Sequence, residues 1–314
     1  MIIKSIKNRI YKNKSNKNTK ELPFTDDYLF ENRSNNENTL CIILAGYKEF
    51  TWDIVFERIN EFSEKDIDIC IVSSGLYSKK LSEVAKKYNW SYISIKKNSV
   101  TLAQNTTIKL FPNAKYIYKL DEDIFVTKNF FKTIRNTYNL VQEEGEYNVG
   151  FVAPIIPING YCHVLLLKKL NLIQYFEKNF EKIKYAAGPN RMIENNSDVA
   201  KFMWGENNLI PHIDDLNEKL SNLPFKYSAS TIRFSIGAIY FSRDLWEDMN
   251  YFDVIDSSRL GIDEVQLCTY CIKNSKGMII SENCCVGHLS FGLQNEVMKE
   301  YYKNNPQHFE IKND

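Results

Sequence analysis

Three consecutive acids, Asp121, Glu122 and Asp123, close the apolar run Tyr116-Ile-Tyr-Lys-Leu120. In an extended chain, side chains at i and i+2 point the same way, so Asp121 and Asp123 converge on one ligand while Glu122 faces elsewhere. Paired carboxylate oxygens suit Mn2+ or Mg2+, ions that keep open positions for water and substrate phosphates. The spacing therefore points to a substrate carrying a diphosphate. An acidic turn is the plain alternative, because an isolated Asp-x-Asp recurs by chance.

A second acidic pair, Asp263-Glu264, opens a run with Leu267, Cys268 and Cys271 at helical spacing. Unpaired N–H groups in a first helical turn favour an ionised carboxylate, so this pair either supplies a general base or caps the helix. Successive helical residues point about 100° apart, which lets at most one of them face a reacting group. His288 differs from His163, His212 and His308 in sitting in a small-residue loop, Val286-Gly-His-Leu-Ser290, just after an apolar run. It reads as a metal ligand or diphosphate contact, with a structural histidine as the alternative.

The elements that must position these groups alternate. Leu40–Leu44 is a buried strand, and Trp52, Val55, Phe56 and Ile59 follow at helical spacing. Ile67–Val72 is a second strand, with Leu81, Val84, Ala85 and Tyr88 on the next helix, and Trp90–Ile95 is a third, followed by a helix over Thr101–Phe111. Tyr116–Leu120 then delivers the acids. Such β/α alternation predicts a mostly parallel sheet flanked by helices, with ligands outside the carboxyl ends of its strands. Ala45-Gly46-Tyr47 and Ser73-Ser74-Gly75 lie at two of those ends.

The later half is less regular. Thr127–Gln142 reads as a helix capped by Thr127, Val149–Ile158 as a strand, Cys162–Ile183 as helical, and Ala186–Asn222 as an irregular segment suited to an acceptor or to a variable surface loop. Ile232–Ser242 reads as a strand with Gly237 inside it, where a ligand or backbone passes close. Met278–Ile280 is a short strand.

Composition narrows the class. The 314 residues carry a formal charge of +1, without the basic excess of a nucleic-acid binder. Seven cysteines, an odd number set in apolar runs, suit buried thiols, and Cys268 and Cys271 lie in a helical pattern unlike the turns of a zinc site. No apolar stretch reaches the roughly 18 residues of a membrane span, and no signal-peptide core is visible, which sets the expectation at the cytoplasm. Met1–Lys20 holds seven Lys or Arg and no acid, and reads either as a basic amphipathic contact with an anionic membrane or as a solvated leader. Residues 21–38 read as a polar linker, 39–292 as the catalytic domain and 293–314 as a helical tail.

In order and spacing, four pieces resemble the GT-A fold glycosyltransferases, particularly the family 2 type. They are the Ala45–Tyr47 loop, Asp121-Glu122-Asp123, Ser235-Ile236-Gly237, and Asp263-Glu264 followed by His288. The resemblance implies a GT-A-like α/β fold. It implies that Ala45, Tyr47, Ser74, Gln104, Asn105, Asp121, Glu122 and Gly237 line the substrate and that Asp123, with Asp121 and His288, holds Mn2+ or Mg2+. Glu264 falls at the family's base position when Val265 and Leu267 are matched to its Val-x-Leu, leaving Asp263 to cap the helix or bind the acceptor. Three departures are visible: Leu-Ala-Gln104-Asn105 replaces an Ala-Arg-Asn, the second strand ends in Val72-Ser-Ser-Gly where an Asp would meet the base, and the late pair reads Asp-Glu where many members read Glu-Asp.

The implied function is inverting, metal-dependent transfer of a hexosyl or N-acetylhexosaminyl group from a nucleotide sugar, UDP-linked, to a glycan or lipid-linked glycan acceptor in bacterial surface polysaccharide synthesis. A sugar-phosphate nucleotidyltransferase would share the topology and the acids but calls for a Gly-rich phosphate loop that Ala45-Gly-Tyr-Lys-Glu49 does not supply. A non-catalytic sugar-binding module would need neither acidic pair.

Overall fold

The computed structural model describes residues 21–188, 191–255 and 261–312, so the basic segment 1–20 lies outside the described residues. The chain enters the sheet earlier than its apolar pattern indicates. Tyr28–Glu31 forms β1, antiparallel to a later strand with Tyr28 opposite Ile95, within the stretch expected to be linker. Its four residues are mostly half-exposed and end in a charged Glu31, so this edge strand shows no apolar signature. The Asn-rich turn after it is fastened too, because the Asp68 carboxylate accepts from Ser34 Oγ and from the Asn35 and Glu37 N–H groups.

The alternating units follow as expected: β2 (Thr39–Leu44), α1 (Trp52–Phe62), β3 (Asp68–Ser74), α2 (Lys79–Lys87), β4 (Ser91–Ile95), α3 (Val100–Leu110) and β5 (Tyr116–Asp121). Ser78 and Ser99 cap α2 and α3, accepting from Leu81 N–H and Leu102 N–H. After a short β6 (Ile124–Phe125) comes α4 (Phe130–Glu144), which starts later than expected. Asn129, in the left-handed region, precedes it, while the Thr127 hydroxyl donates instead to the Cys285 carbonyl.

β7 (Val149–Ile155) leads into α5 (Cys162–Lys169) and α6 (Ile173–Asn179), separated where Asn171 takes a positive φ. The described residues of segment 186–222 include three short helices, α7 (Met192–Asn195), α8 (Ser197–Met203) and α9 (Ile213–Ser221), the first two too short to display a period. β8 (Tyr227–Ala229), β9 (Ala238–Ser242), α10 (Arg243–Asp248), α11 (Ile262–Lys273), β10 (Gly277–Cys285), β11 (Gly287–His288) and α12 (Asn295–Asn304) complete the described chain. Only the last five residues of Ile232–Ser242 are strand, and the strand expected at Met278–Ile280 runs the full length of β10.

The described residues form a nine-stranded sheet in the order β1-β4-β3-β2-β5-β9-β7-β10-β8. β2 is parallel to β3 and β5, β3 to β4 and β7 to β10, with β1, β8 and β9 antiparallel to their neighbours. The expected mixed α/β architecture with a mostly parallel sheet holds. From β2 the chain steps outward to β3 and β4, then returns across β2 to β5. That reversal makes the boundary between β2 and β5 the switch point, where open α/β sheets leave a crevice beyond their strand ends. All seven cysteines are buried free thiols.

The terminal helix is part of the core. Met298, Tyr301, Tyr302 and Phe309 are buried, and the fully buried Arg58 of α1 donates to the carbonyls of Phe309, Glu310 and Val126 and pairs both guanidinium ends with Asp214.

Candidate active site

The acid triplet stands at the switch point with its backbone tied to its neighbours. Asp121 N–H donates to the Gly237 carbonyl at 2.8 Å, Glu122 N–H to the Leu44 carbonyl at 3.0 Å, and Leu289 N–H to the Asp123 carbonyl at 3.1 Å. These bonds turn the three side chains in three directions.

Glu122 points back at the first-strand loop. Its carboxylate accepts from Gly46 N–H at 2.9 Å, Tyr47 N–H at 2.8 Å and Trp52 Nε1 at 2.6 Å. Burial pushes its pKa up against those donors. The residue expected to line the substrate is therefore occupied by the protein's own groups and fixes the loop after β2.

Asp123 points the other way. Its Oδ2 lies 2.5 Å from Lys48 Nζ and 3.4 Å from His288 Nε2, and Lys48 Nζ also donates to the Ser290 carbonyl at 3.0 Å. Burial opposes ionisation of Asp123, but Lys48 and His288 outweigh it and hold the carboxyl below its ordinary value. Burial lowers the His288 pKa against the pull of Asp123, which favours a neutral imidazole. The loop carrying His288 is set by β11 pairing with β6 and by Trp204, whose Nε1 donates to the His288 carbonyl. Trp204 packs so tightly on Gly287 that a Cβ there would lie 2.2 Å from its ring, which requires glycine.

Asp121 lies within the field of Asp123 and His288 but takes a different ion-pair partner. Its Oδ1 accepts from Lys119 Nζ at 2.6 Å, and Lys119 also donates to the Ile236 carbonyl at 2.9 Å. Burial opposes the charge on Lys119, but Asp121, Asp263 and Glu264 together raise its pKa, which places this lysine between the two acidic pairs. Gly237 serves close approach: a Cβ there would lie 3.1 Å from Ile124 Cδ1 and 3.4 Å from Asp121 Oδ2.

On the α11 side the adjacent acids have different partners. Asp263 is buried and accepts from Gln104 Nε2 at 2.8 Å, whereas Glu264 Oε1 lies 2.9 Å from Arg233 Nε. Burial raises the Glu264 pKa to about 7, with Asp263 adding to the shift and Arg233 opposing it. Glu194 of α7 is also buried, bonded to Gly188 N–H, and lies within the field of Glu264.

Asn105, expected near the nucleotide, is a scaffold residue. Its amide donates to the Phe252 carbonyl and accepts from Trp246 Nε1 and Phe252 N–H, which leaves little to offer a ligand. Gln104 is buried and acts through Asp263. Ala45 is buried and its N–H donates to the Val72 carbonyl, while Tyr47 is 69% exposed and reaches Asn98 Oδ1 at 3.2 Å. Ser74 Oγ meets the same Asn98 oxygen at 3.4 Å, so Tyr47, Ser74 and Asn98 share one patch beyond the ends of β2 and β3. Lys48, Asn98, Lys119, Arg233 and Glu194 are the site groups that sequence reasoning missed.

Among the described residues no group of three or more His, Cys, Asp or Glu side chains gathers as a metal cage. Asp123 and His288 nonetheless form a two-donor set, and an ion such as Mn2+ or Mg2+ commonly takes only one or two protein ligands beside phosphates. The Lys48 ammonium on Asp123 Oδ2 shows that this oxygen holds a cation. The residues present therefore fit such an ion, with Asp123 and His288 to hold it. It would supply charge neutralisation for a leaving diphosphate.

No protein-family model matches the chain, and no curated protein matches it. Among solved structures it is similar to the mannosyltransferase PcManGT from Pyrobaculum calidifontis in complex with GDP-Man and Mn2+, at 11% identity and a TM-score of 0.47 over 82% of this chain. It is similar also to GalNAc-T7 with UDP, GalNAc and Mn2+, at 9% identity and a TM-score of 0.46 over 87% of this chain. The chain spans 58% and 51% of the lengths of those two structures. At these TM-scores neither likeness decides anything about its chemistry.

Proposed function

We propose that this chain is a glycosyltransferase of GT-A type that moves a sugar from a nucleoside diphosphate to a glycan hydroxyl with inversion, assisted by Mn2+ or Mg2+. One observation carries the reading. Two carboxylates of the site have environments that push their proton affinities apart: Asp123, beside Lys48 and His288, lies below the ordinary carboxylate range, and Glu264 is raised to about 7. Such a divergence separates a permanently charged cation ligand from a proton acceptor.

In this reading Asp123 and His288 face the diphosphate, and Tyr47, Ser74 and Asn98 face the base. An amide presents a donor and an acceptor together, as uracil requires, which supports UDP. Glu264 takes the proton from the attacking hydroxyl on the face opposite the leaving group, a role suited to a pKa near the working pH. Arg233 orients it, and Asp263, held by Gln104, stays clear of the proton. An imidazole in the donor set favours Mn2+ over the harder Mg2+. The basic segment 1–20 would add affinity for an anionic membrane carrying the acceptor.

The test is Glu264→Gln against Asp263→Asn, read as turnover at saturating donor and as nucleotide affinity. The reading expects Glu264→Gln to lose turnover with nucleotide binding intact. Full turnover in both variants contradicts it.

A further inference from the structure

We propose that Lys48 couples divalent-ion binding to nucleoside-diphosphate binding, by holding Asp123 Oδ2 in the free protein and turning onto the phosphates when the ion takes that oxygen. The inference rests on the proposed function and adds to it a residue that joins two ligands. Lys48 lies 2.5 Å from Asp123 Oδ2 and 3.0 Å from the Ser290 carbonyl, with its side chain 16% exposed and that of Asp123 4% exposed. An ammonium and a divalent ion sharing one buried oxygen repel at close range, so the two compete for it.

The backbone around Lys48 is tied on both sides. Glu122 clamps Gly46 and Tyr47, and the Lys48 carbonyl accepts both the N–H and the hydroxyl of Thr51. The flexible four-carbon stem of a lysine ends in a compact charge with three donors, able to exchange a carboxylate for a phosphate without moving its backbone.

Charge balance sets the sign of the coupling. Asp121 is paired with Lys119 and Asp123 with Lys48, so the carboxylate proposed to take the ion already has a counterion in the donor-free site. A divalent ion arriving alone must displace Lys48 and leave its charge without a counterion. A diphosphate arriving with the ion supplies that counterion. Each ligand then tightens the other by the same factor, as linkage requires.

The experiment titrates Mn2+ into the full chain, with free Mn2+ read by electron paramagnetic resonance, alone and with saturating UDP or GDP. Wild-type protein is expected to bind Mn2+ about tenfold or more tightly with nucleotide than without, within the ordinary range of coupling. Lys48→Met, which keeps the stem and removes the charge, should bind Mn2+ alone about tenfold more tightly than wild type and lose most of the coupling. Lys48→Arg, which keeps the charge, should bind Mn2+ alone as weakly as wild type. Wild-type coupling that survives in Lys48→Met, or a Lys48→Arg protein that binds Mn2+ alone as tightly as Lys48→Met is expected to, overturns this inference alone. Wild-type protein that binds neither Mn2+ nor nucleotide overturns the proposed function with it.

Discussion

Gln104 Nε2 donates to Asp263 Oδ2 at 2.8 Å, and this bond separates the roles of two adjacent acids. Asp263 is held inward by an amide from α3, while Glu264, one residue on, meets the half-exposed Arg233. The two acids are therefore told apart by partners far away in sequence.

The first prediction concerns pH. Burial raises the Glu264 pKa to about 7, so below that value the carboxyl carries a proton and cannot accept another. As a base it must ionise, so kcat/KM should rise about tenfold between about pH 6 and about pH 8 and then level off. Arg233 opposes the upward shift, so Arg233→Met should move the midpoint to higher pH. A flat profile, or a midpoint that falls in the variant, contradicts the assignment.

Neutralising Asp123 should be far costlier than neutralising Asp121. Asp123→Asn is expected to lower Mn2+-dependent turnover by at least about a hundredfold, since ion-assisted charge neutralisation supplies several kcal/mol of transition-state stabilisation. Asp121→Asn, whose native carboxylate faces Lys119, should retain more activity. The reverse order, measured at saturating donor, would exchange their roles.

Glu122 should behave as a clamp. Glu122→Ala leaves Gly46 N–H, Tyr47 N–H and Trp52 Nε1 without their acceptor and should cost at least about 2 kcal/mol of stability. The loosened loop should also weaken nucleotide binding. Urea unfolding together with nucleotide titration checks both, and unchanged values in the two measurements argue against the clamp.

Arg58 predicts a purely structural effect. Arg58→Met removes the donor to three carbonyls and the ion pair to Asp214, whose carboxylate keeps the Lys312 N–H, and should cost about 3 kcal/mol, the lower end of the range for breaking a buried ion pair. Thermal unfolding that matches wild type would show that the C-terminal segment is held by other contacts.

The β2-to-β5 half of the fold was legible because buried parallel strands appear as unbroken apolar runs between amphipathic helices. β1 and α7 were not, being four residues each and carrying no period. The acids were visible by type, yet their partners were not: Lys48 meets Asp123 across 75 residues and Gln104 meets Asp263 across 159. Lys119, inside a strand that reads as apolar, is recognisable as a site residue only once its ion pair with Asp121 and its nearness to Asp263 and Glu264 are seen. Conversely, Asn105 reads as a nucleotide contact only through the resemblance of Leu-Ala-Gln-Asn to Ala-Arg-Asn, whereas its amide is engaged with Trp246 and Phe252.

The central claim is sugar transfer from a nucleoside diphosphate, and it is tested most directly by incubating the purified chain with Mn2+ and a panel of nucleotide sugars. The account predicts release of nucleoside diphosphate from at least one UDP-sugar, abolished by chelating the metal and by Asp123→Asn. Formation of pyrophosphate from a sugar phosphate and a nucleoside triphosphate, or no release from any donor, would contradict it.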